Sequence, residues 1–229
     1  MNAALARLLL SVAYPLLAHA ASTARDPRLA ALALLDIVLI LLVVPLAQRR
    51  IGAWLAVGAA AVALFAVQGS ATLPVFLLLP PVLFPWLVAW WFARTLRPGS
   101  VPLISRIVGG LEQCAPADLA PRLKAYTRWL TTLWAVVLTG IGLANLALGL
   151  IAVPDGLLVH LGHAPVVTVP QAVWSWCANL LDYGVAGVLM VVEYLVRLRL
   201  FPDRPYRDLP DFIRRLGALG PAFWRDVMR

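Results

Sequence analysis

Apolar residues along this chain run in long blocks, and polar residues gather in the gaps. Six blocks stand out, at roughly 3–22, 29–47, 51–68, 71–93, 129–152 and 171–196. Each is close to the roughly 20 residues with which a helix crosses a bilayer. Hydrocarbon offers backbone N–H and C=O groups no water, so a spanning segment closes its own hydrogen bonds, as a helix does. A membrane β-barrel would show short alternating segments instead, and the sequence shows none. The pattern predicts an all-α, polytopic transmembrane bundle of six spans within residues 1–196. A cytoplasmic loop covers 94–128, an outer loop lies near 153–170, and a basic amphipathic tail covers 197–229.

Composition agrees. Of 229 residues, 62% are hydrophobic and 13% charged, against about 25% charged in ordinary soluble domains. The formal charge of +8 fits basic cytoplasmic loops rather than a nucleic-acid partner. Cys114 and Cys177 lie in different segments, so no disulfide framework or CxxC pair is expected.

Charge also orients the bundle. With the N-terminus in the cytoplasm, Arg25 and Arg28 are the only two of the 19 Lys and Arg residues that fall outside. This bias predicts an N-in, C-in arrangement. The opening MNAALARLLLSVAYPLLAHAAST has two readings. It is a secretory signal cut after Ala18-His19-Ala20, or a first helix that is kept. Tyr14 and Pro15 interrupt the apolar core a signal needs, and one Arg is a weak charged start, so the kept helix is the reading adopted.

Two polar stretches read as amphipathic helices. In the loop, Ile104, Ile107, Val108 and Leu111 recur at helical spacing. In the tail, Asp208 suits an N-cap, Asp211 sits three residues on, Pro210 suits the first turn and Gly217 the stop. Leu209, Phe212, Ile213 and Leu216 form its apolar face. Arg204, Arg207, Phe212, Arg214 and Arg215 are the candidates for docking to the anionic membrane surface or to a protein. The alternative is a tail packed on the cytoplasmic loop.

The fourth block carries Pro74, Pro80, Pro81 and Pro85, each of which removes an N–H and bends a helix. Broken helices line cavities in transporters; a bent helix packed on its neighbours is the plainer reading. No second proline-broken segment pairs with it.

Ionisable groups inside spans are the default functional candidates, because burying them costs several kcal/mol. Asp36, Asp182 and Glu193 are these groups. Ser175, Asn179, Asp182, Ala186 and Glu193 share one helical face, and Gly142, Asn145 and Gly149 of the fifth span offer a complementary surface. One reading is a polar seam between spans five and six; the other is a proton or substrate site built from Asp36 and Asp182. Glu193 with Arg197 four residues later reads as a structural ion pair. His160 and His163 could bind a metal with Asp155 or His19, a weak pattern because zinc sites take three or four protein ligands. No metal, cofactor or catalytic residue is expected. GxSxG, P-loop, HExxH and GxGxxG motifs do not occur.

The stretches LLLSVAYPLLAHAAS and EYLVRLRLFPDRPYRDLPDFIRRLGALGPAFWRDV resemble a family of bacterial inner-membrane proteins. Genes of that family accompany type II fatty-acid-like clusters that make aryl polyene pigments of the xanthomonadin kind, and some members carry the label ketosynthase. The residues do not support that label. Condensing enzymes need an activated Cys with two His, or His and Asn, in a large soluble fold, whereas Cys177 falls near the outer face.

The expectation is a non-catalytic inner-membrane accessory or scaffold protein for assembly of a lipid-linked, aryl-polyene-like product. Its expected partners are the lipid bilayer and cytoplasmic fatty-acid-like enzymes or an acyl carrier protein. The alternatives are a transporter or flippase of that amphipathic product using the intramembrane carboxylates, and a membrane acyl or aryl transferase using His19 or Asp182.

Overall fold

A computed structural model of the chain describes residues 3–70, 73–202 and 205–227, with Pro221 described by its backbone alone. The described residues are almost wholly helical. α1 (Ala3–Ala24), α2 (Pro27–Ala47) and α3 (Ile51–Val67) lead to α4 (Leu73–Leu78) and α5 (Pro80–Arg94). Then come α6 (Leu103–Glu112), α7 (Pro121–Ile151), β1 (Ala152–Val153), α8 (Leu157–His160) and β2 (Val169–Pro170). The chain continues through α9 (Gln171–Trp176), a π-helical turn (Cys177–Leu181), α10 (Asp182–Leu200), α11 (Leu209–Ala218) and α12 (Gly220–Val227). The sheet is a single parallel pair, with Ala152 opposite Val169 and Val153 opposite Pro170.

Five helical stretches are long and apolar enough to cross a membrane: Ala3–Ala24, Pro27–Ala47, Leu73–Arg94, Pro121–Ile151 and Gln171–Leu200. The remaining apolar block forms α3, which is 17 residues long. Large apolar side chains such as Leu41, Leu55, Val62, Phe65 and Leu87 point outward, each more than three-fifths exposed. Monomeric soluble proteins rarely expose contiguous apolar surface on this scale.

The chain divides into two compact units, Met1–Leu83 with Ile141–Val188, and Phe84–Gly140 with Leu189–Arg229. The first is organised around the hairpin of α1 and α2. Asp26 closes the turn: its carboxylate accepts from the Arg28 N–H at 2.8 Å, and Pro27 opens α2. That cap fills a donor the helix start would otherwise leave unpaired. Ala18, Ala21, Ala30 and Ala33 are buried between the two helices with Tyr14, Leu73 and Leu77. Small side chains let helix backbones approach closely, which matters where lipid gives no hydrophobic drive to association. A second cluster gathers Leu78, Ala152, Trp174 and Ala178.

In the second unit α6 lies on α7 through hydroxyls. Thr95 and Thr131 accept from the Leu103 and Ile104 N–H groups at 2.9 and 3.3 Å. These are first-turn donors with no partner inside the helix. Ser105 and Thr127 pair at 2.7 Å. Leu103, Val108 and Leu111 are buried. The apolar face read from the sequence is therefore used for packing within this unit.

The tail folds back on α6. Asp208 caps α11, accepting from Asp211 N–H at 2.8 Å. The stop is not at Gly217: α11 runs on to Ala218, and the left-handed residue is Gly220, at φ +79°. Gly217 sits within the last turn, and only the position after Leu219 needs a backbone that glycine adopts without strain. Beyond it, α12 places the Phe223 ring against Gly110, where an added Cβ would lie 2.6 Å from the ring. Gly110→Val and Phe223→Ala should each loosen this docking. Limited trypsin digestion should then cut after Arg215 several-fold faster than in the parent, with the spans intact. An unchanged cutting rate would mean that the contact does not hold the tail.

Candidate functional site

The fourth apolar block breaks into α4 and α5 at Leu79. Pro80 and Pro81 supply no N–H there, and Pro85 supplies none one turn later. In an unbroken helix the residue 85 N–H would donate to the Pro81 carbonyl. Asn145 of α7 takes its place: its side-chain amide donates to the Pro81 carbonyl at 3.0 Å. The same nitrogen donates its other hydrogen to Asp182 Oδ2. Asn145 is 1% exposed. One carboxamide thus ties α5, α7 and α10 and satisfies a carbonyl that the prolines orphaned. The sequence placed Asn145 and Asp182 in one seam but missed the third partner, whose only signal is a proline four residues after Pro81.

A second set lies where α1 meets α9. His19 Nδ1 is 3.0 Å from Ser175 Oγ, and Asn179 donates to the Ser175 carbonyl and hydroxyl at 3.0 and 3.2 Å. Ser175 and Asn179 are almost fully buried. The π turn, a geometry frequent at functional sites, follows directly and carries Asn179. Ser175, Asn179, Asp182 and Glu193 consequently do not act as one row. The first two bond around His19, Asp182 bonds Asn145, and Glu193 belongs to the other unit.

Asp36 is 4% exposed on α2, and its Oδ2 has no hydrogen-bond partner among the described residues. The hydroxyl of Tyr14, which the sequence did not single out, is likewise buried without one. Asp36 and Tyr183 both lie in the neighbourhood of the Tyr14 phenol. Asp36 and Asp182 are not hydrogen-bonded to each other in the described structure.

In the second unit, Glu193 accepts from Arg197 Nε at 2.8 Å and from the Tyr126 hydroxyl at 3.0 Å. Arg197 reaches the Tyr206 hydroxyl at 3.4 Å and lies 5.4 Å from the centre of the Phe212 ring. The i, i+4 ion pair expected from the sequence is thus the middle of a larger knot. Phe212 is packed edge-on to Tyr206 at 4.9 Å, so the outward apolar residues of α11 are Leu209 and Ile213. Asp211 gathers the tail's basic groups, accepting from Arg214, from Arg215 at 3.0 Å and from the Arg207 N–H at 3.2 Å. Arg204 lies outside the described residues. A cavity of about 590 Å³ opens in this unit, walled mainly by apolar residues including Val108, Leu111, Leu123 and Phe201, with Arg122 among its walls.

His160 Nδ1 sits 3.3 Å from the Gly156 carbonyl, His163 is exposed, and Asp155 pairs with Arg25 at 3.4 Å. Among the described residues no three His, Cys, Asp or Glu side chains gather as metal ligands would. No protein-family model, curated protein or solved structure matches the chain.

Two measurements follow from this geometry. Asn145→Leu strands two acceptors and should cost about 1–3 kcal/mol in unfolding from detergent. Adding Pro85→Ala restores an N–H for the Pro81 carbonyl and should recover part of that loss; no recovery would show that Asn145 does not stand in for the missing backbone donor. For the tail, hydrogen bonds from Arg214, the Arg207 backbone and Arg215 hold the Asp211 carboxyl down at about 2, below the usual carboxylate range. A depressed folded-state value stabilises above the unfolded-state value and ceases to do so as pH falls through the folded one. Hydrogen-exchange protection of α11 should therefore hold down to about pH 4 and fall away as pH drops to about 2. Asp211→Asn should remove that dependence.

Proposed function

We propose that the chain is a six-span protein of a bacterial inner membrane with both termini in the cytoplasm. It serves as a non-catalytic accessory for assembling a lipid-linked, aryl-polyene-like product. The six-span reading draws support from a small cavity lined by Arg25, Ser70, Asp155 and Gln171. It collects the end of α1, the α3–α4 link and the α7–α9 link at one end of the first unit. If α2 crosses a bilayer, Arg25 and Ser70 reach the same side only when α3 crosses as well. The bias of Lys and Arg then assigns that side to the exterior.

The observation that carries the accessory role is the second unit. The 94–128 loop and the tail build one body around an apolar cavity of about 590 Å³, within the size range of ligand pockets. In the proposed orientation it faces the compartment where carrier-bound acyl chains are made. Three of the polar in-span groups, Asn145, Asp182 and Glu193, are engaged in joining helices, which favours a scaffold over a catalyst. Cytoplasmic fatty-acid-like enzymes or an acyl carrier protein are the proposed partners. Removing residues 205–229 should abolish the product in both membranes, and the tail should co-purify with acyl-chain enzymes. Persistent product together with empty pull-downs would overturn this role.

A transport reading rests on a different observation, the buried and unpartnered Asp36 carboxylate oxygen beside Tyr14. It expects Asp36→Asn to trap product in the inner membrane with synthesis intact. Normal export in that variant would remove its support.

A further inference from the structure

The small cavity of the first unit has chemistry that neither functional reading uses. It measures about 120 Å³ and lies where the end of α1 and the starts of α2 and α9 meet α4. That is well above the roughly 10–15 Å³ one water needs and well below the roughly 300–1,000 Å³ of a pocket for a drug-sized ligand. It suits one small polar group.

The walls favour a donor. Gln171 is 8% exposed, lines the cavity, and its Oε1 has no hydrogen-bond partner among the described residues. A buried acceptor left without a donor costs about 1–3 kcal/mol, so an occupant that donates is favoured over one that accepts. Asp155 also lines the cavity, with its side chain 16% exposed and a long ion pair to the solvent-facing Arg25. Asp26 contributes a second carboxylate, already engaged at its own helix cap. Arg25 against Asp26 and Asp155 leaves one net negative charge, so a cation is favoured over a neutral group.

From these walls we infer that the cavity is a site for a small primary ammonium group, held by Gln171 Oε1 and the Asp155 carboxylate. An ammonium brings three donors on a compact head, whereas a guanidinium is a wide planar fork and a quaternary amine has no N–H to give. The cavity sits at helix ends, and α1 and α2, which help to line it, carry outward apolar side chains such as Leu16 and Leu32. On the membrane reading, the headgroup of an aminophospholipid supplies the amine there. Free ethanolamine carries the same group without a bilayer and keeps the chemistry separable from that reading.

The full-length protein in detergent would be titrated with ethanolamine and with choline while its thermal midpoint is followed. It would then be compared in nanodiscs of phosphatidylethanolamine and of phosphatidylcholine. Ethanolamine should raise the midpoint and choline should not. Gln171→Leu and Asp155→Asn should weaken the ethanolamine response by roughly tenfold or more. Arg25→Gln, at a side chain 61% exposed, should strengthen it, because it frees Asp155 and removes the competing cation. This opposite sign separates a binding role from mere loss of stability. A rise with phosphatidylethanolamine nanodiscs alone assigns the amine to lipid, and a rise with free ethanolamine alone assigns it to a soluble amine; both support the site. Equal responses to ethanolamine and choline, no response to either amine source, or a weaker response in Arg25→Gln would overturn it.

Discussion

A carbonyl without a backbone donor sets the terms for the first unit. Pro85 leaves the Pro81 oxygen unpaired, and hydrocarbon offers no water to take it up. The chain answers with Asn145, buried on α7, whose second hydrogen then reaches Asp182. The amide at 145 and the acid it reaches at 182 both answer to one missing N–H. An isolated carboxylate in such a place would be very costly, and an isolated amide costly to a lesser degree. Together with the carbonyl they form a closed set.

The second unit solves a different problem with the same economy. Its surface charges would repel if left separate, since the tail and loop are rich in Arg. Asp211 pairs with Arg214 and Arg215 and Glu193 with Arg197, and Tyr126, Tyr206 and Phe212 pack around the Glu193–Arg197 pair. The result is a folded body rather than a set of basic arms, and its cavity is defined by elements far apart in sequence.

Much of this was legible in the residues. Block length and the absence of charge located most ends of the long helices to within about four residues, because burial of the backbone in lipid leaves few alternatives; α7 instead begins at Pro121, inside the segment read as loop, because its first two turns carry Arg122, Lys124 and Arg128. The Asp208 cap and the Glu193–Arg197 pair were legible because both are local. Tertiary pairings were less so. The face of Ser175, Asn179, Asp182 and Glu193 looked continuous because a uniform helix was assumed, and the π turn at Cys177–Leu181 breaks that spacing. The second tail helix was missed because eight residues make barely two turns, too short a stretch for a period to register. His19 was weighed as a metal ligand or a transferase residue, and its partner Ser175 lies 156 positions away, beyond any local rule.

α3 has one buried residue, Ala53, along 17 residues. At about 1.5 Å per residue it rises roughly 25 Å, short of the roughly 30 Å of an average hydrocarbon core. If it crosses, the lipid along that flank must thin, or Arg50 and Gln68 must stretch toward the headgroups. A thinned margin gathers shorter-chained lipids and other short helices, because sharing the deformation lowers its cost. This thinly buried flank would thereby gain company through elastic attraction, with no pocket, charge or hydrogen bond involved.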